Sequence, residues 1–477
     1  MVDFGLIDEW RPTAGRVTTW SMSPNALDRA ARAPVHPVPP SHQQEEYLRT
    51  ALRNADAGFR FSRLCLLAFD FQGPLHADAL GRAINGFLRR HDTYRSWFSL
   101  EDDGTVARHV VTPETIEMTP TSYGELSGAE IVAHVQETTP GPFRWDCFTF
   151  GAVERDTGFT LYAAVDHLNT DGMSQAMTCR ELISLYLGEA FGADTELPEV
   201  AGYLDYCAHE RSVSAGLDHD SPHVRRWLDL VRADGGRLPS FPLPLRSVDG
   251  DDDEAYTRSA HRSAVIFDEA AAQRFAEVGK AHGGNMIGSL LAVAAVVAQE
   301  FTGRSSYLGM TPKSTRGEGP GRNSIGWFTS LIPVPIEVGA DVPFTSLVGP
   351  AFQSYLAGKE LTDVSFHRVL QLVEPGDGID VAPGWSVPMV SYIDVRRLPG
   401  VELLDAIDVN LFGNRGSSEE VFLWVNRFPK ETMISFLFPD TPQAHESIER
   451  YLEAFTRIMN QVATTGDYRT VVPAAAR

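Results

Sequence analysis

The stretch that decides the fold is Phe159–Met177, which reads Phe-Thr-Leu-Tyr-Ala-Ala-Val-Asp-His-Leu-Asn-Thr-Asp-Gly-Met-Ser-Gln-Ala-Met. Its first part, residues 159–165, predicts a strand because large apolar side chains alternate and no proline interrupts them. The apolar residues after Gly172 recur at helical spacing and predict a helix. His167 and Asp171 therefore lie in a turn between a strand and a helix, where Gly172 lets the backbone change direction.

The chemical candidate in this turn is His167. Imidazole titrates near neutral pH, so His167 could take a proton from a hydroxyl or an amine as a general base. On residue types alone, a histidine hydrogen-bonded within a turn is the commoner explanation, and Asp171 would hold the turn in either case. No neighbouring Cys, Glu or His offers a third ligand at the usual spacings, so the sequence predicts no metal site.

Composition predicts a globular protein with two to three domains, since 477 residues include 43% hydrophobic and 22% charged residues. The formal net charge of -22 argues against nucleic acid or an anionic membrane as the main partner, because both are bound through basic faces. The 4 cysteines form no CxxC pair and are predicted to be reduced core residues. The apolar run Met286–Ala298 predicts a buried helix that is too short to span a bilayer, and we expect a cytoplasmic protein with no transmembrane segment.

Local patterns predict an α/β protein built from two similar halves, each with strand, turn and helix units and with helices over its sheet. Residues 1–40, rich in Pro, Arg and Ala, are expected to form an irregular N-terminal arm. Residues 41–216 then form an N-terminal lobe and residues 256–477 a C-terminal lobe. Residues 217–255 are predicted to be a linker, because they combine prolines, a Gly-Gly pair and an acidic run.

The turn at His167 resembles the HxxxDG motif of the condensation-domain superfamily. This superfamily includes nonribosomal-peptide condensation domains, chloramphenicol acetyltransferase and the polyketide-associated acyltransferases. Other segments resemble further motifs of the superfamily and occur in the same order along the chain. They are Ser41-His-Gln-Gln44, Arg90-His-Asp-Thr-Tyr-Arg-Ser-Trp-Phe98, Tyr203-Leu-Asp-Tyr206, Asn323-Ser-Ile-Gly-Trp-Phe-Thr-Ser-Leu-Ile-Pro333 and, as a weaker match, Asp363-Val-Ser-Phe366.

One difference from the superfamily pattern concerns Asp166. Amide-forming condensation domains usually carry a histidine at this first position of the motif, and no RxDLEL-like segment follows here. The chain is therefore more similar to the ester-forming, polyketide-associated (Pap-type) acyltransferases. The resemblance implies two chloramphenicol-acetyltransferase-like lobes in a V-shaped pseudo-dimer, with a central tunnel and His167 at its middle.

The resemblance also implies a reaction without an acyl-enzyme. An acyl group would move from a thioester, either acyl-CoA or a phosphopantetheine arm on an acyl or peptidyl carrier protein, to a small-molecule alcohol that His167 deprotonates. The thioester is a co-substrate, and no bound cofactor is expected. By analogy with the family, Asp171 would pair with Arg95 to fix the loop, and a backbone N–H near Gly172 would bind the oxyanion.

Donor binding is assigned to basic residues of the glycine-rich loop between residues 311 and 323. Lys313, Arg316 and Arg322 could meet the phosphate of coenzyme A or phosphopantetheine, although a solvated loop is equally consistent with the sequence. Asn410, in the segment 410–418, is expected to line the tunnel from the C-terminal lobe, unless this segment is only a strand connection.

Three functions remain open at this level. The first is an O-acyltransferase that forms an ester in secondary-metabolite or glycolipid biosynthesis. The second is a free-standing condensation enzyme with a carrier-protein-bound donor and an amine or alcohol acceptor. The third is a non-catalytic docking protein, and the intact His167, Asp171 and Gly172 argue against it.

Overall fold

The computed structural model describes residues 2–56, 63–246, 257–381, 387–399, 401, 407–416 and 418–470. The chain divides into two compact units, and each unit is assembled from separate segments of the sequence. Unit 1 comprises Met1–Ser212, Arg316–Phe328 and Arg397–Gly416, and unit 2 comprises Val213–Thr315, Thr329–Arg396 and Ser417–Arg477.

The described chain contains both strands and helices throughout its length, as the sequence predicts for an α/β protein. The strands are β1 (Val2–Leu6), β2 (Gly15–Met22), β3 (Val35–His36), β4 (Leu64–Gln72), β5 (Ser96–Leu100), β6 (Val106–Val110), β7 (Met118–Leu126), β8 (Phe148–Glu154), β9 (Gly158–Asp166), β10 (Ser259–Asp268), β11 (Ser306–Ser314), β12 (Thr329–Glu337), β13 (Met389–Asp394), β14 (Val409–Gly413), β15 (Phe422–Arg427) and β16 (Glu431–Pro439). The helices are α1 (Pro24–Ala30), α2 (His42–Asp56), α3 (Ala77–Arg90), α4 (Gly128–Thr138), α5 (Gly172–Phe191), α6 (Tyr203–Ala215), α7 (Pro222–Ala233), α8 (Glu269–Ala281), α9 (Met286–Thr302), α10 (Thr345–Gly358), α11 (Phe366–Gln371) and α12 (Pro442–Thr465).

Unit 1 is built on a seven-stranded sheet with the order β1-β14-β4-β9-β8-β2-β7. Every residue of β9 is buried, because both faces of the sheet at this strand are covered. Leu161 and Ala163 pack in one core with residues of α3 and α5, whereas Tyr162 and Ala164 pack in another core with residues of α4. The alternation that predicts a strand thus corresponds to two apolar cores, and it places the end of β9 deep in unit 1.

The predicted irregular arm at residues 1–40 is wrong. Strand β2 lies between β7 and β8 inside the seven-stranded sheet, and Trp20 has no exposed surface. Val17 and Trp20 each bury a side chain in a core of unit 1. The prolines of residues 1–40 lie before or after this strand, and none interrupts it.

The predicted boundaries of the two lobes need correction as well. Strand β14 comes from a late part of the chain, yet it pairs with β1 and β4 in unit 1. The C-terminal lobe is therefore not the continuous stretch 256–477, because a strand far along the chain completes the first sheet. Such an insertion leaves no local signal in the sequence.

Part of the predicted linker is a helix of unit 2. Helix α7 buries Val224, Trp227, Leu228 and Val231, whose spacing places them on one helical face. The linker prediction is thus wrong for α7, while residues 247–255 lie outside the described residues.

Unit 2 contains a four-stranded sheet with the order β10-β16-β15-β13 and a separate two-stranded pair, β11-β12. Helices α8, α9 and α12 share one core with residues of this four-stranded sheet. Every residue of α9 from Gly288 to Gln299 is buried, which confirms the buried apolar helix predicted from the sequence. Within the described parts of the chain, no single helix has the length and apolar character to cross a membrane; α8 and α9 meet those criteria only as a pair, bent by 90°.

Candidate active site

The turn after β9 is held by the two acidic residues on either side of His167. Asp166 accepts a hydrogen bond from the Leu168 N–H at 3.1 Å and so caps the short 3-10 helix His167–Asn169. Asp171 caps α5 by accepting from the Ser174 N–H at 2.8 Å, and Gly172 is the first residue of that helix. The backbone around His167 is therefore fixed on both sides, as the strand-turn-helix prediction requires.

The imidazole of His167 is positioned by packing and by its own backbone. The ring is half-buried, and its centroid lies 4.2 Å from that of Trp327. The His167 backbone N–H donates to the Arg63 carbonyl at 2.8 Å. Among the described residues, no side chain is hydrogen-bonded to the ring, and its buried Nδ1 has no hydrogen-bond partner. No carboxylate among the described residues therefore forms a dyad with the imidazole of His167.

Burial, and to a smaller extent the positive charge of Arg63, lower the pKa of His167 from 6.5 to about 4. The backbone carbonyls of His167 and Thr170 and the charge of Asp171 act in the opposite direction. The imidazole is consequently neutral at physiological pH. A neutral imidazole carries a lone pair, so His167 can accept a proton from a bound nucleophile.

The carboxylate of Asp171 is fully used in structural hydrogen bonds. Besides the Ser174 N–H, it accepts from both terminal nitrogens of Arg316, at 2.8 and 2.9 Å, and from the Phe328 N–H at 3.0 Å. A bidentate pair of this kind combines charge with fixed geometry. Asp171 therefore ties the turn to the segment Arg316–Phe328 of the same unit, and its predicted structural role stands.

The partner of Asp171 is Arg316, so the predicted pair between Asp171 and Arg95 is wrong. Arg95 ends the 3-10 helix Asp92–Arg95, and its buried Nε has no hydrogen-bond partner among the described residues. A motif gives the order of residues along the chain but not the direction of their side chains. The segment that returns to the turn supplies the arginine instead.

The predicted contact of Arg316 with the donor phosphate is also wrong. Its side chain is only 6% exposed. Besides binding Asp171, it donates to the Ser174 Oγ at 2.7 Å and to the Ser324 carbonyl at 3.2 Å. Because the guanidinium is buried and occupied by these acceptors, Arg316 is a positioning residue for the turn.

The other predicted donor-binding residues lie in different places. Lys313 belongs to β11 of unit 2, where burial lowers its pKa and the charge of Lys359 lowers it further. Arg322 is exposed and forms an ion pair with Glu318. Asn410 lies in β14 of unit 1 rather than in the C-terminal lobe. Donor binding by Lys313, Arg322 and Asn410 stays a prediction.

The segment Ile325–Phe328 contacts the turn at three successive residues. Gly326 donates its N–H to the Ser174 Oγ at 3.0 Å and accepts from the same hydroxyl at 2.8 Å. A side chain at Gly326 would not fit, since its Cβ would lie 2.4 Å from the ring of Tyr203. Trp327 then covers His167, and Phe328 binds Asp171 through its backbone. The close approach of Tyr203 to Gly326 is thus the physical reason for a glycine in the motif Asn323–Pro333.

Gln44, in the first motif, supports the turn from α2. Its Nε2 donates to the Leu168 carbonyl at 2.9 Å, and its Oε1 accepts from the buried guanidinium of Arg108 at 3.0 Å. The Gln44 N–H donates to the Ser41 Oγ at 3.1 Å. The motif Ser41-His-Gln-Gln44 was visible in the sequence, but these roles were missed because the partners are distant along the chain.

The second motif joins the turn to its neighbouring helices. Thr93 donates to the Asn169 Oδ1 at 3.0 Å. Asp92 accepts from the N–H groups of Tyr203 and Leu204, at 2.7 and 3.1 Å, and so holds the start of α6. Residues of four other motifs seen in the sequence therefore surround the His167 turn of unit 1.

No group of three or more His, Cys, Asp or Glu side chains arranged to hold a metal ion occurs in the part of the chain that the structure describes. The prediction that the reaction needs no metal remains to be tested by experiment.

Comparison with known proteins supports the sequence resemblance. The family model described as Condensation domain matches residues 64–375. The chain is 33% identical over 478 residues to the trehalose-2-sulfate acyltransferase PapA2 of Mycobacterium tuberculosis, covering 99% of this chain and 100% of that protein. It is also 33% identical over 475 residues to the 2'-acyl-2-O-sulfo-trehalose (hydroxy)phthioceranyltransferase PapA1 of the same organism, covering 98% and 89%.

Solved structures agree with this result. The PapA2 acyl transferase matches with a TM-score of 0.90 at 32% identity, covering 97% of this chain and 100% of that one. The condensation domain from the monacolin K polyketide synthase MokA matches with a TM-score of 0.71 at 16% identity over 92% and 100%, which supports the fold alone. The predicted family resemblance and the α/β fold are confirmed.

Proposed function

Because this chain belongs to the condensation-domain family, we propose that it is an acyltransferase that moves an acyl group from a thioester to a hydroxyl group and forms an ester. The observation that carries the proposal is a neutral, half-buried His167 at the end of β9. The turn that holds this base is tied down by buried hydrogen bonds from Asp171 and Arg316. Such an arrangement is suited to proton transfer and not to a purely structural role.

The reaction balances with His167 as the base. The imidazole takes the hydroxyl proton while the oxygen attacks the thioester carbonyl. The tetrahedral intermediate then collapses, the carbon–sulfur bond breaks, and the departing thiolate takes the proton from the imidazolium. A pKa of about 4 makes His167 a weak base in the resting protein, but negative charge that develops on the attacked carbonyl favours the imidazolium. General-base catalysis of this kind contributes about 10²–10⁴-fold.

The acceptor we propose is the hydroxyl of a sugar, in the biosynthesis of a glycolipid. The relatives PapA1 and PapA2 are named for acylation of sulfated trehalose, and both match nearly the whole chain. An alcohol keeps its proton at neutral pH and gains more from a base than a free neutral amine does. The donor is the thioester of coenzyme A or of a carrier-protein phosphopantetheine, which are the same chemically at the reacting end.

The test combines both donors with matched acceptors. Purified protein is mixed with acyl-CoA or an acyl carrier protein thioester, and with a trehalose-type sugar alcohol or its amino analogue, and products are identified by mass spectrometry. We expect an ester. An amide alone would contradict the choice of acceptor, and transfer from neither donor to any acceptor would overturn the acyltransferase proposal.

His167→Ala tests the proposed base. We expect a folded protein whose turnover is lower by about 10²–10⁴-fold. The exposed His223, on α7, provides a control, since His223→Ala should keep full activity. Near-normal turnover by correctly folded His167→Ala protein would exclude His167 as the base.

A further inference from the structure

We propose that Asp166 is a positioning residue for this reaction, and that its carboxylate charge, acting through Tyr47 and Arg63, supports proton transfer to His167. The inference rests on the proposed function. Asp166 has no exposed surface, so its carboxyl cannot contact a substrate from solvent.

A closed ring of hydrogen bonds links Asp166 to the catalytic residue. The Tyr47 hydroxyl donates to the Asp166 Oδ2 at 2.9 Å, and the Arg63 N–H donates to the Tyr47 oxygen at 2.7 Å. The His167 N–H then donates to the Arg63 carbonyl at 2.8 Å, and the peptide bond between residues 166 and 167 closes the ring. A change in the charge or position of the Asp166 carboxyl can therefore affect His167 both through the hydrogen bonds of Tyr47 and Arg63 and through the peptide bond.

Within the described part of the chain, the titratable groups whose pKa values respond to the charge of Asp166 are Tyr47 of α2, Arg63 just before β4, Cys65 of β4 and Cys147 just before β8. Burial raises the pKa of Cys65 to about 12 and raises the pKa values of Cys147 and Tyr47 as well, so these groups are neutral. Arg63 is the positively charged member of this described set, and its charge lowers the pKa of Asp166.

Arg63 connects the ionisation of Asp166 to the basicity of His167. Its positive charge lowers the pKa of His167, after burial itself. Burial raises the pKa of Asp166 to about 7, against the opposing effects of the Leu168 N–H, the Tyr47 hydroxyl and Arg63. The negative charge of ionised Asp166 offsets part of the positive charge of Arg63, so Arg63 opposes formation of the His167 imidazolium less strongly. When Asp166 is protonated, this contribution is lost and proton transfer to His167 slows.

The activity of the wild-type enzyme should therefore increase in one step as pH rises through about 7, where Asp166 ionises. His167 itself is neutral both below and above this step, because its pKa is about 4. The Asp171 carboxylate, whose charge also raises the pKa of His167, is paired with Arg316.

Asp166→Asn removes the charge but keeps an oxygen that can accept from the Leu168 N–H. We expect kcat at pH 8 to fall by about tenfold, the effect of lowering the basicity of His167 by about one pKa unit. KM should be unchanged, and the increase in activity near pH 7 should be absent. The variant should also unfold at a higher urea concentration at pH 8. The pKa of Asp166 is raised from 3.8 to about 7 in the folded protein, so the wild-type protein loses stability as pH rises between these two values. Asparagine does not titrate, and the variant therefore lacks this loss.

Tyr47→Phe gives a second, directional test. Loss of a hydrogen bond to the carboxylate should raise the pKa of Asp166 and move the activity step upward by about one pH unit. The matched control is Tyr162→Phe on β9, because this buried hydroxyl bonds to Thr19 and belongs to no part of the ring. The control should leave the step where it is in the wild-type enzyme.

A readout independent of activity separates this inference from the proposed function. The carbon-13 resonance of the His167 Cε1 should show an inflection near pH 7 that disappears in Asp166→Asn. The inference would be overturned if the resonance and the pH–rate profile of that variant were the same as those of the wild-type protein. It would also be overturned if the variant lost stability and activity but still showed the activity step near pH 7. Wild-type protein that transfers no acyl group would instead overturn the proposed function, and the resonance would still test the coupling.

Discussion

Asp171→Asn tests whether the buried pair with Arg316 holds the active-site turn. The side chains of Asp171 and Arg316 are 8% and 6% exposed, and they form a bidentate pair with N–O distances of 2.8 and 2.9 Å. An asparagine removes the negative charge and sets an NH₂ group against N–H donors of Arg316 or Phe328. Leaving a buried guanidinium uncompensated costs about 3–5 kcal/mol in the free energy of unfolding, a figure that already includes the lost hydrogen bonds.

The measurement is urea unfolding at pH 7, combined with hydrogen exchange of residues 316–328 and of the first turn of α5. Both segments should exchange faster in the variant, because Asp171 joins them. Asp70→Asn is the matched control in the same unit. Asp70 pairs with Arg155 at 3.1 Å, but these side chains are 37% and 22% exposed, so we expect a loss of at most about 1 kcal/mol.

A double-mutant cycle identifies the partner. Arg316→Gln should be less costly in the Asp171→Asn background than alone, because the charge left unpaired is then absent. Arg95→Gln should instead be additive with Asp171→Asn within about 0.5 kcal/mol. The reasoning would be refuted if Asp171→Asn cost no more than Asp70→Asn, or if it abolished activity at unchanged stability, which would make Asp171 a chemical participant.

Three other predictions follow from the site. In the Asp166→Asn background, activity should be flat from about pH 5 to 8, because the His167 pKa is lowered to about 4; an acid limb near the ordinary 6.5 would contradict this. A chelator should leave ester formation unchanged, and activity lost to the chelator and restored by zinc would contradict the metal-free prediction. Gly326→Ala should destabilise the protein by about 1–3 kcal/mol, since the new Cβ would lie 2.4 Å from Tyr203. Its control, Gly86→Ala in α3, meets open space and should stabilise the helix by about 1 kcal/mol.

The sequence by itself determined the strand, turn and helix around His167 and the order of the motifs. These features are local, since alternation along β9 and helical spacing along α5 follow from which side chains share a face. The same kind of pattern predicted that α9 is buried, whereas the ordered motifs gave the resemblance to the family. Analogy with that family gave Asp171 a structural role.

Only the tertiary structure decided which groups surround His167 and Asp171. Arg316 reaches Asp171 from 145 residues further along the chain, and β14 enters a sheet whose other strands are all encoded before residue 167. The low pKa of His167 depends on burial and on Arg63, neither of which is encoded next to it. The periodicity of a sequence indicates the face of a strand or helix on which a side chain lies. The partner of that side chain and the electrostatic field around it depend on how distant segments pack, which is decided only when the chain has folded.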